Sequence, residues 1–318
     1  MHTHASSGNV VAVKPPVEEH AAELVRHFLL TTHYLPPLEL THQLLAGPLE
    51  GIQTFFRPFE RVDRINFFGR TRETRDLLSL IMAERVVLFY AQSGAGKTSL
   101  LNTQIIPALE NDGFFVLPVV RVGSDLPPDL PQNKINNIFV FSVWMGLVGK
   151  DTPLTTLTGT GLNDALNAWL LDSPLDEAGE LRPPLLIIDQ FEEILTTHRD
   201  RWQDARGFFV QLAEALNNTP KLGVVLAMRE DHVAGLDPYA PLLPRRLKAR
   251  FRMEQLKADG ALEAVKKPAQ NSGHPFADGV AETLVDDLRR VRVAQGEQAP
   301  ETAVLGPYIE PVQLQVVS

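Results

Sequence analysis

Residues able to do chemistry concentrate in Val86 to Leu101, VVLFYAQSGAGKTSLL, of this 318-residue chain. The stretch reads as an apolar strand, a loop of small residues ending Gly96-Lys97-Thr98, and the start of a helix. It follows the phosphate-binding spacing G-x-x-x-x-G-K-[ST] except at the first position, where Ala91 stands in place of glycine. Such a loop turns successive backbone N–H groups toward a phosphate, with a helix N-terminus behind them. Ser93, Gly94, Ala95 and Gly96 are small enough to admit phosphate to that backbone. Lys97 can reach the β- and γ-phosphates, the Thr98 hydroxyl suits Mg²⁺, and Ser99 completes the nucleotide-binding run. Alanine at 91 makes the turn less permissive, but adds only a methyl group. The competing reading is a chance glycine turn, and the strand before it and Gly-Lys-Thr-Ser within it weigh against that.

Three further clusters carry chemistry only in combination with this loop. Leu185 to Ile188 ends in Asp189, as a buried parallel strand must if its tip is to hold Mg²⁺. Alone the pentamer is common; with the upstream loop it becomes a Walker B element. Gln190 follows, where many ATPase motors carry a glutamate base, so Glu192 and Glu193 are the candidate catalytic carboxylates. Leu222 to Met228 runs into Arg229, which at a strand tip stabilises charge on a γ-phosphate; the alternative is a surface salt bridge with Glu230 or Asp231. Upstream, Phe67-Phe68-Gly69-Arg70 leads into an amphipathic helix, Glu73 to Ala83. Those phenylalanines either pack under the helix or wall a nucleotide base.

The elements that position these groups follow from pattern and punctuation. The helix after the loop spans roughly 97–109 and stops at Gly113. Phe114 to Val122 reads as a second strand made irregular by Pro118. A proline-rich loop over 123–134, a buried helix over 136–148 and a short helix over 163–171 come next. Arg246 to Met253 alternates basic and apolar residues, predicting a strand that buries Leu247, Ala249, Phe251 and Met253. Its basic stripe is read as a charged edge, with Arg245 or Arg246 as a weaker arginine-finger candidate. From Gln255 the pattern is helical, and the chain stops at Ser318 within the apolar run 312–317, which suggests truncation.

Residues 1–16 form a leader ending in Pro15-Pro16, and 17–54 a helical segment with helices over 17–30 and 38–45. His2, His4, His20, His27, His33 and His42 lie here; without cysteine or clustered carboxylates they read as solvated rather than metal-binding. The chain has no cysteine, compatible with a reducing cytoplasm. Its net charge of −9 argues against broad nucleic-acid binding. No run reaches membrane-spanning length, and no secretory signal begins the chain.

Taken in order, FFGRTRE at 67–73, AQSGAGKTSL at 91–100, LLIIDQFEEIL at 185–195, VVLAMRED at 224–231 and PLLPRRLKARFRMEQL at 241–256 resemble the STAND class of P-loop NTPases, and within it the bacterial novel-STAND subfamily. The resemblance covers about residues 55–318. It implies an α/β three-layer sandwich with a five-stranded, mainly parallel sheet over 55–255, of AAA+/NACHT-like ATPase kind, and a partial helical arm over 256–318. It also implies Phe68, Gly69 and Arg70 near adenine, Lys97 and Thr98 on phosphate and Mg²⁺, Asp189 on Mg²⁺ through water, and Arg229 as sensor. The family's G-x-P adenine contact has its counterpart at Ile309-Glu310-Pro311, with the proline but not the glycine. A winged helix and sensing repeats usually follow, and these 318 residues hold neither.

The expectation is an ATP-dependent switch with Mg²⁺, in which ATP and ADP favour different arrangements and set self-association or partner binding. Gln190 in the base position predicts slow hydrolysis. An AAA+-like mechanical ATPase and a non-catalytic scaffold are the alternatives. The absence of an N-K-x-D motif fits ATP over GTP.

Overall fold

In the computed structural model, which describes residues 58–126, 132–148, 157–171, 173–293, 302–309 and 311, the phosphate-binding loop hangs from an interior strand of a parallel sheet. The strands are β1 (Val86–Ala91), β2 (Phe115–Val116), β3 (Pro184–Ile188), β4 (Gly223–Arg229) and β5 (Arg250–Met253). They lie in the order β2-β3-β4-β1-β5, and every neighbouring pair is parallel. Successive side chains on a strand face opposite ways, and here both faces are buried. Leu88, Leu186, Ile188, Val224, Leu226 and Met228 enter a core on one face. Val87, Phe89, Ala91, Leu185, Ile187, Val225 and Ala227 enter a second core on the other. That double burial explains why these strands are continuous apolar runs rather than alternating ones.

Helices cover each face. The second core is closed by α1 (Thr71–Ala83) and by the run that follows the loop: α2 (Lys97–Leu100), a π-helical segment at Leu101–Ile105, and α3 (Ile106–Asn111). The first is closed by α4 (Ile138–Leu147), α5 (Leu162–Leu170) and α7 (Trp202–Asn218), with the one-turn α6 (Glu193–Thr196) between α5 and α7. The expected α/β sandwich with a five-stranded sheet is therefore present. From β1 the chain crosses β4 and β3 to reach β2, then steps back through β3 and β4 and passes over β1 to β5. The helices after β1 cover one face and those after β2 and β3 the other, a switch point between β1 and β4 where a crevice for a ligand opens at the carboxyl ends of the strands. Beneath that crevice Phe191 is fully buried, its ring edge-on to Phe209 at 5.7 Å. Burying a side chain of this size is worth about 1.5–3 kcal/mol, which anchors the turn leaving β3.

Several elements differ from the sequence expectation. Regular β2 is only two residues long; Pro118 interrupts it, and Val120 rejoins the sheet as an isolated bridge to Ile188. Regular strand starts at Arg250 rather than Arg246, because Arg245, Arg246 and Leu247 have φ of 50, 55 and 51° in a tight turn. The inward pattern survives nonetheless, with Leu247 and Met253 buried. The exposed stripe is paired, Arg250 with Asp237 and Arg252 with Glu230. Helix α7 is absent from the expectations, although Ala205, Phe208, Phe209, Leu212, Ala215 and Leu216 recur at helical spacing and are buried.

The carboxyl-terminal arm is not purely helical. It holds α8 (Ala258–Asn271) and α9 (Val280–Leu288), together with two antiparallel pairs. One joins β6 (Leu256–Lys257) to β9 (Tyr308–Ile309), the other β7 (Arg290–Val293) to β8 (Thr302–Leu305). The leader, the amino-terminal helices and the six histidines expected before residue 55 lie outside the described residues.

Candidate functional site

The loop after β1 has the backbone its sequence requires. Gly94 and Gly96 are left-handed, with φ of 73 and 92°, conformations open to glycine at little cost. Gln92, Ser93 and Gly94 are exposed, whereas the Ala95 methyl is buried in the second core. Gly96 caps α2, and its carbonyl accepts from the Leu100 N–H at 2.9 Å. Ala91 is not a loop residue at all: it is the last residue of β1, fully buried, and in register with Arg229 of β4 and Met253 of β5.

Lys97 folds back over this loop, its Nζ 3.4 Å from the Ala91 carbonyl and 3.5 Å from that of Gln92. Burial pushes the ammonium below its ordinary pKa; Glu192 and then Asp189 pull it back up, and Arg229 lowers it further. The three charges singled out in sequence thus converge electrostatically on Lys97. Thr98 Oγ1 donates to Asp189 Oδ2 at 2.6 Å, joining the first turn of α2 to the tip of β3. Asp189 is 5% exposed, and its Oδ1 accepts from the Gln190 N–H at 2.8 Å.

A left-handed Gln190, φ 51°, turns the chain so that Phe191 enters the core while its own side chain stays at the surface of the crevice. Non-glycine residues in this conformation are uncommon and gather at functional sites. The turn separates the two candidate bases. Glu192 reaches the tip of β4, where its Oε2 accepts from the Arg229 N–H at 3.1 Å. Glu193 turns the other way: it is buried, ion-paired with Arg121, and accepts from the Gly123 N–H at 3.0 Å. Arg121 and Gly123, neither of them singled out in sequence, are what hold it.

Arg229 sits at the end of β4 beside the loop strand, but its guanidinium grips Asp231 at 2.7 and 3.1 Å. The Asp231 bond raises the arginine's pKa and, in return, holds the carboxyl below its usual range. Of the remaining residues, Ser99 is buried and its hydroxyl accepts from the Phe59 N–H at 3.0 Å. The Phe68 ring carries Lys267 of α8 at 5.2 Å. Gly69 has φ +84°, and a Cβ there would lie 2.2 Å from the Gly260 carbonyl oxygen. Arg70 reaches beneath the loop to the Ala95 carbonyl at 3.0 Å. Ile309 is buried and pairs with Leu256; Pro311 lies just beyond it, and Glu310 between them is outside the described residues.

Mg²⁺ takes hard oxygen donors, and proteins usually supply only one or two, leaving the rest to phosphate and water. The Thr98 hydroxyl and Asp189 carboxylate are such a pair. Among the described residues no cluster of three or more His, Asp or Glu forms a self-sufficient metal site. The donors present therefore fit a cation shared with phosphate.

The description Novel STAND NTPase 1 matches residues 54–300, well over half of the chain. The chain belongs to that family. This STAND NTPase is also similar in structure to a Walker-type ATPase of Pyrococcus abyssi, at a TM-score of 0.47 and 14% identity, over 74% of this chain and 67% of that one. Against the ORC2 protein of Aeropyrum pernix, described in ADPNP–ADP complexes, the TM-score is 0.46 and the identity 15%, over 70% of this chain and 59% of that one. Over 48 residues the STAND NTPase is 38% identical to a cysteine–tRNA ligase of Halalkalibacterium halodurans, which is 15% of this chain and 10% of that protein. The match thus spans a tenth of the curated relative's length.

Proposed function

We propose that this STAND NTPase is an ATP-dependent molecular switch, working in the cytoplasm, that binds ATP with Mg²⁺ and hydrolyses it slowly. ATP and ADP would favour different arrangements of the sheet domain and the arm, and so set self-association or binding to a protein partner. The observation that carries the reading is the 2.6 Å bond from Thr98 Oγ1 to Asp189 Oδ2. It brings the two expected Mg²⁺-facing oxygens together at the mouth of the loop, from positions 91 residues apart in sequence.

In this reading the N–H groups of the loop and the Lys97 ammonium bind the phosphates, and Thr98 with Asp189 would hold Mg²⁺, which when bound neutralises phosphate charge. Gln190 orients a water for attack on the γ-phosphorus. Glu192 accepts the proton that water loses, and ADP leaves with the bridging oxygen. Glutamine takes no proton as a carboxylate would, and Glu193 is committed to Arg121 and Gly123. One carboxylate, tethered through the Arg229 N–H, is a sparse catalytic set, which supports slow turnover.

The test is steady-state hydrolysis together with mass measurement in ATP and in ADP. The switch predicts turnover below the typical enzyme value of roughly 10 s⁻¹ and a nucleotide-dependent change in association or partner binding. Faster turnover by a closed hexamer would replace it with a mechanical ATPase.

A further inference from the structure

We propose that Arg70 is a positioning residue for the phosphate-binding loop, fixing the Ala95–Gly96 peptide plane so that its N–H faces the ligand. Arg70 is 4% exposed. It spans three acceptors from three parts of the chain: Nη1 donates to Glu73 Oε1 and to the Glu254 carbonyl, both at 2.8 Å, and Nη2 to the Ala95 carbonyl at 3.0 Å. Burial of the cation depresses its pKa, and the hydrogen bond to Glu73 offsets part of that. A charge buried at this cost persists where its hydrogen bonds satisfy groups that would otherwise go without.

The Ala95 and Glu254 carbonyls are such groups. Ala95 precedes α2 in the loop and Glu254 follows the last residue of β5, so both lie in irregular backbone between regular elements. The Ala95 carbonyl is buried in its bond with Arg70 and needs a donor from elsewhere, whereas Glu254 lies at the exposed end of β5 and its carbonyl is half-buried. Only a planar fork with N–H groups in fixed directions serves both at once; an ammonium is a point donor on a flexible stem.

The consequence for the loop comes from peptide geometry. In a trans peptide the carbonyl and the following N–H are antiparallel within one rigid plane. Pinning the Ala95 oxygen on Arg70, beneath the loop, therefore turns the Gly96 N–H to the opposite side, toward the crevice. The residue before the anchor is tightly packed as well: Gly69 lies against Gly260 of α8, where a Cβ would meet the carbonyl oxygen at 2.2 Å. Arg70 thus acts through the loop rather than on the ligand. Its effect on affinity rests on the nucleotide-binding reading above; its effect on the loop does not.

The experiment compares the full chain with Arg70→Ala and Arg70→Lys by amide hydrogen exchange without nucleotide, and by MgATP titration. In both variants exchange over residues 92–97 should accelerate roughly tenfold or more, with β3 still protected, and the MgATP dissociation constant should rise by about tenfold or more. Arg70→Lys retains the charge but not the fork, and carries the test if Arg70→Ala does not fold. Unchanged exchange over 92–97 in a folded variant, or acceleration equal to that of β3, overturns the proposal. Should the wild type bind no MgATP, the exchange result still decides the role of Arg70, while the switch reading fails.

Discussion

Replacing Ala91 with glycine, the residue that the phosphate-binding pattern specifies, should weaken the fold and leave nucleotide affinity unchanged. Ala91 ends β1 in register with Arg229 and Met253, and its methyl is fully buried in the core beneath α1 and α2. Its φ is not positive: the left-handed non-glycine positions among the described residues are Gln190, His198 and Arg245 to Leu247. The freedom that glycine offers is used at Gly94 and Gly96 instead. Losing a buried methyl costs about 0.8 kcal/mol, and the extra backbone entropy of glycine in a strand costs about 0.5–1 kcal/mol. Together these predict a loss of about 1.5 kcal/mol, or roughly 3–6 °C in Tm for a domain of this size. Urea unfolding and calorimetry of Ala91→Gly would measure it, with MgATP titration alongside. Equal or greater stability, or MgATP binding tightened tenfold, would refute the strand-end account of Ala91.

Gly69→Ala should be far more damaging than Gly113→Ala, although both have left-handed φ. At Gly69 the new Cβ meets backbone at 2.2 Å, whereas at Gly113 it meets nothing within 4 Å; the strain shared by both is about 1–2 kcal/mol, so equal losses in denaturant would contradict the packing against Gly260. Glu192→Gln should cut the rate of hydrolysis at least tenfold without lowering Tm. Glu193→Gln should instead cost about 1–3 kcal/mol of stability, because it breaks the pair with the half-exposed Arg121 and the bond from Gly123; the reverse pattern would exchange their roles. Burial lowers the Lys97 pKa, and phosphate binding needs the ammonium. MgATP affinity should therefore be flat below that lowered value and fall as pH rises through it, starting on the acid side of the roughly 10.4 of an exposed lysine. A fall in affinity that sets in no earlier than an exposed lysine titrates would contradict this.

Much of the site was legible because its demands are local. A left-handed turn needs Gly94 and Gly96, a covered parallel strand needs unbroken apolar residues up to Asp189, and the helix after the loop ends at a left-handed Gly113. These signals need no knowledge of distant contacts. What could not be read depends on pairing between remote segments. Nothing in the spacing of Glu192 and Glu193 shows that Arg121 and Gly123 take only the second, because that choice is made by the left-handed turn at Gln190. The bonds of Arg70 to the Ala95 and Glu254 carbonyls join segments 25 and 184 residues away, a convergence that spacing does not show. The onset of β5 was misplaced because alternation persists from Arg246 onward while the backbone at Arg245 to Leu247 is left-handed. Helix α7 is a different case: its apolar residues fall on one face at helical spacing, a signal present in the sequence.

Every role proposed for Lys97, Thr98, Asp189 and Glu192 requires that nucleotide binds at the loop. The most direct measurement is titration of wild type and Lys97→Ala with MgATP, with circular dichroism to verify that both are folded. The wild type should bind, and the variant should lose tenfold to a hundredfold or more in affinity, the range expected for charge-assisted hydrogen bonds of about 1.5–3 kcal/mol. Equal affinity in the two folded proteins, or no binding by either, would contradict binding at the loop.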